Sequence, residues 1–467
     1  MSQFDLILRG GTIVTHEGVR VAELGITDGH IATIAPRLDG SARAMVDAAG
    51  LHVFPGLIDS HVHFNDPGRA HWEGIATGSR ALAAGGGTMF FDMPLNSSPP
   101  TLDAASFDLK RAVAERTSLT DFALWGGLTP GNPDRREELA ERGVIGFKAF
   151  MANSGIEDFP CVDDATLRAG MKIASRLGRL VAVHAESEAS TRELTKAALA
   201  GNRTAIRDYL NSRPISAELD AIQRAIGLAA ETGCALHIVH VSCGAGVAFV
   251  TAARQRGVNV TCETCPHYLV LTEDDVRQLG ALAKCAPPLR AKPAQDALWD
   301  AVRAGDVSTI GSDHSPSPPE MKQGRDFFKI WGGISGVQHT LPLLLTRSAD
   351  LMISPAVTLM ERNEPNRSSA LRAIARLTSF NVAERFNLPK TKGRIAVGAD
   401  ADLALVDLRG EFTVRKPDLL DRHRQSPYVG RSLTGRVVRT ILRGHTVFQD
   451  GKIVSKPTGR FVRPVRP

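Results

Sequence analysis

This sequence predicts an α/β fold: a (β/α)8 TIM-like barrel joined to a small composite β-sandwich domain built from both chain ends. Three observations predict it. Short apolar strands alternate with helical stretches through the middle of the chain, the first ~50 and last ~70 residues read as alternating strands, and metal-capable side chains fall where the middle strands stop. Repeated βα units argue for a parallel sheet, and a barrel keeps its chemistry where strands give way to loops. The expected boundaries are 1–54 and 394–467 for the β-sandwich domain and 55–393 for the barrel.

The elements follow in order. Phe4-Asp5-Leu6-Ile7-Leu8-Arg9-Gly10-Gly11 alternates and then turns, and Val21 to Ile34 repeats the pattern around a turn at Asp28-Gly29. Leu51, Val53, Phe54, Leu57 and Ile58 form an apolar run into His61-Val62-His63, so that pair ends a buried strand just before Pro67-Gly68. Further strands are expected at Thr88–Asp92, Phe122–Trp125, Ile145–Lys148, Leu180–His184, Ala235–His240, Val258–Glu263 and Ser308–Asp313. Helices such as Ala217–Glu231, with apolar spacings of three and four, lie between them. Ala401–Leu408 alternates, and Val437 to Gly444 closes on glycine as Leu6 to Gly11 does. Chain termini often lie close together, which makes one shared sheet feasible.

Composition narrows the class. The 467 residues are 43% hydrophobic and 23% charged, ordinary for a globular chain with a large core. The formal net charge is +6, with basic residues scattered except in Arg460-Phe461-Val462-Arg463-Pro464-Val465-Arg466, read as a solvated tail. No nucleic-acid partner is expected. No apolar run reaches the length of a membrane span, and Asp5 and Arg9 interrupt the N-terminus too early for a signal-peptide core, so a cytoplasmic protein is expected. Cys161, Cys234, Cys243, Cys262, Cys265 and Cys285 mostly lie in apolar strand-like contexts. Cys262-x-x-Cys265 has no second such pair, and positions i and i+3 of a strand face opposite ways, so these read as buried small hydrophobes.

Two histidines at i and i+2 on a strand share a face, and neutral imidazoles so held suit a divalent metal. Alone, His61 and His63 read better as two strand-end histidines than as metal ligands. The wider pattern favours the metal: Lys148, His184, His240 and Asp313 also close expected strands and so converge on one rim. Glu263 ends another strand, with a structural role open to it. Lys148 is the odd member, because an ammonium has no lone pair to give. Carbon dioxide converts a neutral lysine amine to a carbamate, N6-carboxylysine, an anion able to bridge two metals. A salt-bridging lysine beside a single metal is the alternative.

These motifs resemble those of the cyclic amidohydrolases, the family of dihydroorotases, hydantoinases, dihydropyrimidinases and allantoinases. Pro55-Gly56-Leu57-Ile58-Asp59-Ser60-His61-Val62-His63 is similar to the family's opening motif, and Gly146-Phe147-Lys148-Ala149-Phe150 to its carboxylated-lysine motif. His184-Ala185-Glu186, His240-Val241-Ser242 and Ser312-Asp313-His314-Ser315-Pro316 resemble the later histidine and aspartate motifs, and Gly393 to Leu403 extends the likeness into the β domain. Asn381-Val382-Ala383 departs from it where many members carry proline. The resemblance implies two divalent metal ions, zinc first and iron, manganese or cobalt also accepted, held by His61, His63, Lys148, His184, His240 and Asp313. It implies hydrolysis of a cyclic amide by a metal-bridging hydroxide, with Asp313 as the catalytic proton carrier, in a homotetramer. Relatives that became non-catalytic scaffolds lost metal ligands, whereas this chain keeps all six positions.

Four places separate the branches of that family. Asn65 stands where dihydroorotases place an arginine for the substrate carboxylate, and Asn153 where hydantoinases carry a tyrosine. The string Asn153-Ser154-Gly155-Ile156-Glu157-Asp158 and the loop Trp331-Gly332-Gly333-Ile334-Ser335-Gly336-Val337-Gln338 resemble the allantoinase branch. Lys284-Cys285-Ala286-Pro287-Pro288-Leu289-Arg290 resembles the family's substrate loop. The small-molecule substrate implied is allantoin, opened to allantoate, with Asn65, Asn153, Cys285, Ser315 and Gly333 as its contacts. For Cys285 and Ser315 plain loop packing is the alternative. For the activity as a whole the alternatives are hydantoinase, dihydropyrimidinase or dihydroorotase.

Overall fold

The computed structural model describes residues 3–348 and 364–465. The N-terminal segment supplies β1 (Phe4–Val14), β2 (Val19–Thr27), β3 (His30–Ala35), β4 (Ala42–Asp47) and β5 (His52–Pro55). The β2–β3 turn falls on Asp28-Gly29, where φ is 51° and 78°. Two positive φ values in a two-residue hairpin loop match the right-handed strand twist. At Gly10, φ is 69°, and the β1–β2 register shifts between Leu8 and Gly11. β1 therefore bends there, pairing β4 through its first half and β5 through its second.

Eight parallel staves follow: β6 (Leu57–Val62), β7 (Gly87–Asp92), β8 (Asp121–Leu124) continuing into β9 (Gly126–Gly127), β10 (Phe147–Phe150), β11 (Val181–His184), β12 (Leu236–Ile238), β13 (Val260–Thr264) and β14 (Thr309–Ile310). A parallel bridge between Val62 and His314, with His63 N donating to His314 O at 2.8 Å, closes the ring. β6, β7, β8 and β10 are buried at every position, as staves covered on both faces must be. The expected helix Ala217–Glu231 spans Ile215–Thr232 and stops at Gly233, whose φ of 66° provides the left-handed cap.

Two strands end earlier than their sequence suggests. The stretches Ala235–His240 and Ser308–Asp313 pair only over Leu236–Ile238 and Thr309–Ile310. The backbone at His240 (φ 40°) and Asp313 (φ 45°) turns left-handed, which breaks the ladder and re-aims those side chains. The third difference has the opposite sign. The strand expected to close on Lys148 continues to Phe150, so Lys148 lies inside the stave, opposite Gly127 and Ala182, rather than at its rim.

After the barrel, β15 (Leu403–Thr413), β16 (Ser432–Leu442), β17 (His445–Gln449) and β18 (Lys452–Ile453) join the N-terminal strands in one nine-stranded sheet, ordered β18-β17-β16-β15-β5-β1-β2-β3 with β4 on β1. Leu8, Leu24, Val53, Leu403, Leu405 and Ile441 share its core. Lys392 Nζ, 2.6 Å from Asp121 and 2.7 Å from both Asp400 and Asp402, pins that sheet to the base of the barrel. The basic C-terminal stretch is not a free solvated tail. Phe122 N donates to Arg460 O (3.0 Å) and Val462 N to Phe122 O (2.8 Å), because Phe461 and Val462 have apolar partners on β8; Arg466 lies outside the described residues. All six cysteines are free, and all but the half-buried Cys161 are buried.

Candidate active site and metal centre

At the rim of the barrel, His61, His63 and Asp313 offer ligand atoms that lie within 4.8 Å of one another. Asp313 Oδ1 is 3.3 Å from His61 Nε2 and 3.4 Å from His63 Nε2. The second pair faces across the barrel: His184 Nδ1 and His240 Nε2 are 3.0 Å apart. The His61 ring centroid lies 5.3 Å from that of His240, so the two groups adjoin. Lys148 Nζ is buried, has no hydrogen-bond partner, and sits 5.2 Å from the Phe150 ring.

The partners around these groups set their orientation. His61 Nδ1 is 3.0 Å from Glu263 Oε1, which turns Nε2 inward, and that Nε2 makes no hydrogen bond. His184 Nε2 is 2.8 Å from Glu186 Oε2, which leaves Nδ1 facing His240. Asn96 Nδ2 stands 3.4 Å from His63 Nδ1. A carboxylate behind a histidine fixes its tautomer and raises its basicity. Ring stacking of Phe150 on His184, at 4.6 Å and 11°, holds the second ring flat.

Electrostatics favour neutral imidazoles beside anionic oxygen. Burial pushes His61, His184 and His240 below the usual imidazole range. Burial would raise Asp313, but His61, His63 and His240 around it hold its carboxyl far below the carboxylate range. Burial also pulls Lys148 down to about 7, against the pull of Asp313 and Glu263. A buried amine without an acceptor and a His61 Nε2 whose lone pair meets the Asp313 carboxylate at 3.3 Å are costly unless something cationic sits among them. The donor set, imidazole and carboxylate, fits a divalent metal.

A cavity of about 370 Å³ opens onto these groups. Of the expected substrate contacts, Asn153, Cys285, Ser315 and Gly333 line it. Asn153 Oδ1 accepts from Gly155 N at 2.9 Å, so its amide N–H groups are what it offers. Cys285 O accepts from Tyr209 Oη at 3.0 Å. Gly333 has a φ of 120°, and a Cβ there would lie 2.1 Å from Ser315 O. Asn65 is not on the wall. It is buried with φ 63°, and Nδ2 donates to Pro316 O at 3.3 Å, so it braces the loop that carries Ser315. The cavity walls also include Asn96, Tyr209, Arg213 and Lys284, which sequence reasoning did not single out. For Arg213 the one clue was Glu186 inside the His184 motif: Arg213 Nη1 pairs with Glu186 Oε2 at 2.5 Å.

A closed parallel barrel with metal-capable histidines, a buried lysine and an aspartate converging at one end defines a metal-dependent hydrolase, and the chain belongs to the amidohydrolase family, whose model matches residues 52–447. An allantoinase from Rubrobacter xylanophilus is 56% identical over 100% of this chain and 99% of its own. An allantoinase from Deinococcus radiodurans is 52% identical (98% and 99% covered), and one from Escherichia coli 42% identical (98% of each). Among solved structures, the L-hydantoinase (dihydropyrimidinase) from Arthrobacter aurescens superposes with a TM-score of 0.93 at 32% identity, covering 99% of this chain and 100% of that one. A dihydropyrimidinase from Brevibacillus agri gives 0.88 at 31% identity, with 98% of each chain covered.

Proposed function

We infer that this protein hydrolyses the cyclic amide of allantoin to give allantoate, with His61, His63, Lys148, His184, His240 and Asp313 holding two divalent ions. The observation that carries the substrate is the full-length likeness to allantoinases at up to 56% identity, against 32% or less for the hydantoinases. The polar wall agrees with it: the amide of Asn153, the backbone at Gly333 and the Ser315 hydroxyl suit a neutral ring bearing a ureido group. A pair of divalent ions, when bound, supplies Lewis acidity and makes water ionise near neutral pH.

The residues divide the remaining work. Asp313, its carboxyl held below the usual range and its Oδ1 toward His61 and His63, is the carboxylate assigned to take the proton of the attacking water and return it to the ring nitrogen. Glu263 and Glu186 keep His61 and His184 in the tautomers that present Nε2 and Nδ1 inward. Lys148 Nζ, buried and lowered to about 7, is the amine open to carboxylation, and its carbamate would supply an anionic oxygen ligand to the ions that the site would hold. Zinc is the first choice of metal, with iron, manganese or cobalt accepted by the same ligands. The reading places a homotetramer in the cytoplasm. Light scattering checks the first part. The reading as a whole is tested by stripping the metal, reloading with each of the four ions, and following allantoate formation with metal content. Two ions per chain and allantoate are expected. No product with any ion, or a fully active chain without metal, overturns it.

A further inference from the structure

The loop that walls the cavity, Phe327 to Gly333, has no strand or helix to satisfy its carbonyls. Inward-turned backbone oxygens need donors, and a lysine ammonium carries three. Two lysines meet this need, and the chemistry above uses neither. Lys284 Nζ donates to Phe327 O at 2.5 Å, to Ile330 O, and to Phe328 O at 3.4 Å. Lys322 Nζ donates to Gly333 O at 2.6 Å, Trp331 O at 3.1 Å and Ala281 O at 3.4 Å. Burial pulls both side chains down to about 7, and each nitrogen has three carbonyl oxygens within hydrogen-bond reach. The Lys284 charge also sits 4.5 Å from the Tyr209 ring centroid and 5.1 Å from that of Phe327. The staple works in both directions, since Gly333 N donates to Lys284 O at 2.7 Å. With its carbonyls drawn back in this way, the loop leaves Trp331 and Gly333 on the cavity wall.

We propose that Lys284 and Lys322 are positioning residues, two side-chain staples that hold the Phe327–Gly333 wall in place and so set how tightly the ring substituent is bound. The inference rests on the allantoin reading for the identity of that substituent. It needs no contact between either lysine and the metal ions.

The test is Lys322→Met, with Lys284→Met as the second variant, each compared with wild type in metal-loaded full-length protein. Three quantities are measured: KM and kcat for allantoin, metal content, and amide hydrogen exchange of the loop. Loss of one charged hydrogen-bond donor predicts a KM raised at least about tenfold, with a smaller change in kcat. Metal content stays at the wild-type ratio, and exchange accelerates at the Trp331 and Gly333 amides. Lys322→Arg, which keeps a cation and several donors, should recover part of the KM. Unchanged loop exchange in both variants overturns the proposal, as does a fall in kcat with loss of metal and no change in KM. If one variant does not fold, the other decides. If the wild type does not act on allantoin, the substrate reading has failed, and the exchange rates still decide the staple.

Discussion

Replacing Glu186 with glutamine tests how the second histidine pair is held. Glu186 is fully buried; it takes the Nε2 side of His184 at 2.8 Å and the Arg213 guanidinium at 2.5 Å. Burial would raise its carboxyl, yet Arg213 and His184 bring it down from 4.5 to about 2. That difference corresponds to about 3 kcal/mol of native-state stabilisation of the charged form. Breaking a buried pair from one side costs ~3–5 kcal/mol by mutational precedent, which is of the same order. Both partners meet the same oxygen, Oε2, while Oε1 has none, so the glutamine carbonyl can take that place and accept from both, with its N–H2 left where Oε1 was. What is lost is the negative charge: Arg213 keeps a hydrogen bond but no buried counter-ion, and the buried amide N–H2 gains no acceptor. We expect the unfolding free energy of metal-free protein to fall by about 3 kcal/mol in urea titrations. Because His184 then has a neutral carbonyl behind it in place of a carboxylate, its basicity falls and metal affinity in a competition titration should drop about tenfold. A loss below about 1 kcal/mol together with metal affinity within a factor of two of wild type would refute the reasoning, since it would place neither charge balance nor ring orientation on Glu186.

Four further outcomes follow from the same geometry. Asp313→Ala should lower turnover by several orders of magnitude with the far-ultraviolet spectrum unchanged; more than a tenth of wild-type turnover would remove its role as proton carrier. Lys148→Ala should lose most metal and activity, and short carboxylic acids added with metal should restore part of both; a wild-type mass spectrum and density showing an unmodified amine with two metals bound would contradict the carbamate. Gly333→Ala should cost on the order of 1–3 kcal/mol and most of the activity, because φ is 120° there and the added Cβ would lie 2.1 Å from Ser315 O; wild-type melting and KM would show that the loop yields freely. Finally, Glu186 binds its proton less readily folded than unfolded, so its stabilisation is present above 4.5 and disappears as pH falls toward about 2. Urea midpoints in that window should therefore drop more steeply with acid in wild type than in Glu186→Gln.

The parts of this fold that depend on local pattern were readable from the chain. The Asp28-Gly29 turn, the buried stave before His61 and the helix from Ile215 declare themselves through periodicity and glycine, and each appears within a few residues of its expected place. Strand ends were less readable at the rim. His240 and Asp313 leave the ladder through left-handed backbone, a conformation that their residue types favour more than most but do not require. The tail from Arg460 looked solvated because its charges dominate the sequence, whereas Phe461 and Val462 find partners on a strand more than 300 residues away, something periodicity cannot see. Asn65 shows the same limit from the other side: it stands where dihydroorotases carry an arginine for the substrate, and only the fold shows its Nδ2 donating to Pro316 O. The orienting groups Glu263, Glu186 and Asn96, and the two lysines behind the wall, act through partners that only the folded chain brings together.

The central claim is that this site is built for a ring with a polar ureido substituent. Its most direct test is kcat/KM of the metal-loaded protein for allantoin, 5-methylhydantoin, dihydrouracil and dihydroorotate in one assay series. A wall of amide, hydroxyl and backbone groups left unpaired by a smaller substituent should penalise the analogues, so allantoin should lead by ~10²-fold or more. Equal turnover of 5-methylhydantoin or dihydrouracil would contradict the substrate assignment while leaving the metal-dependent amidohydrolase in place.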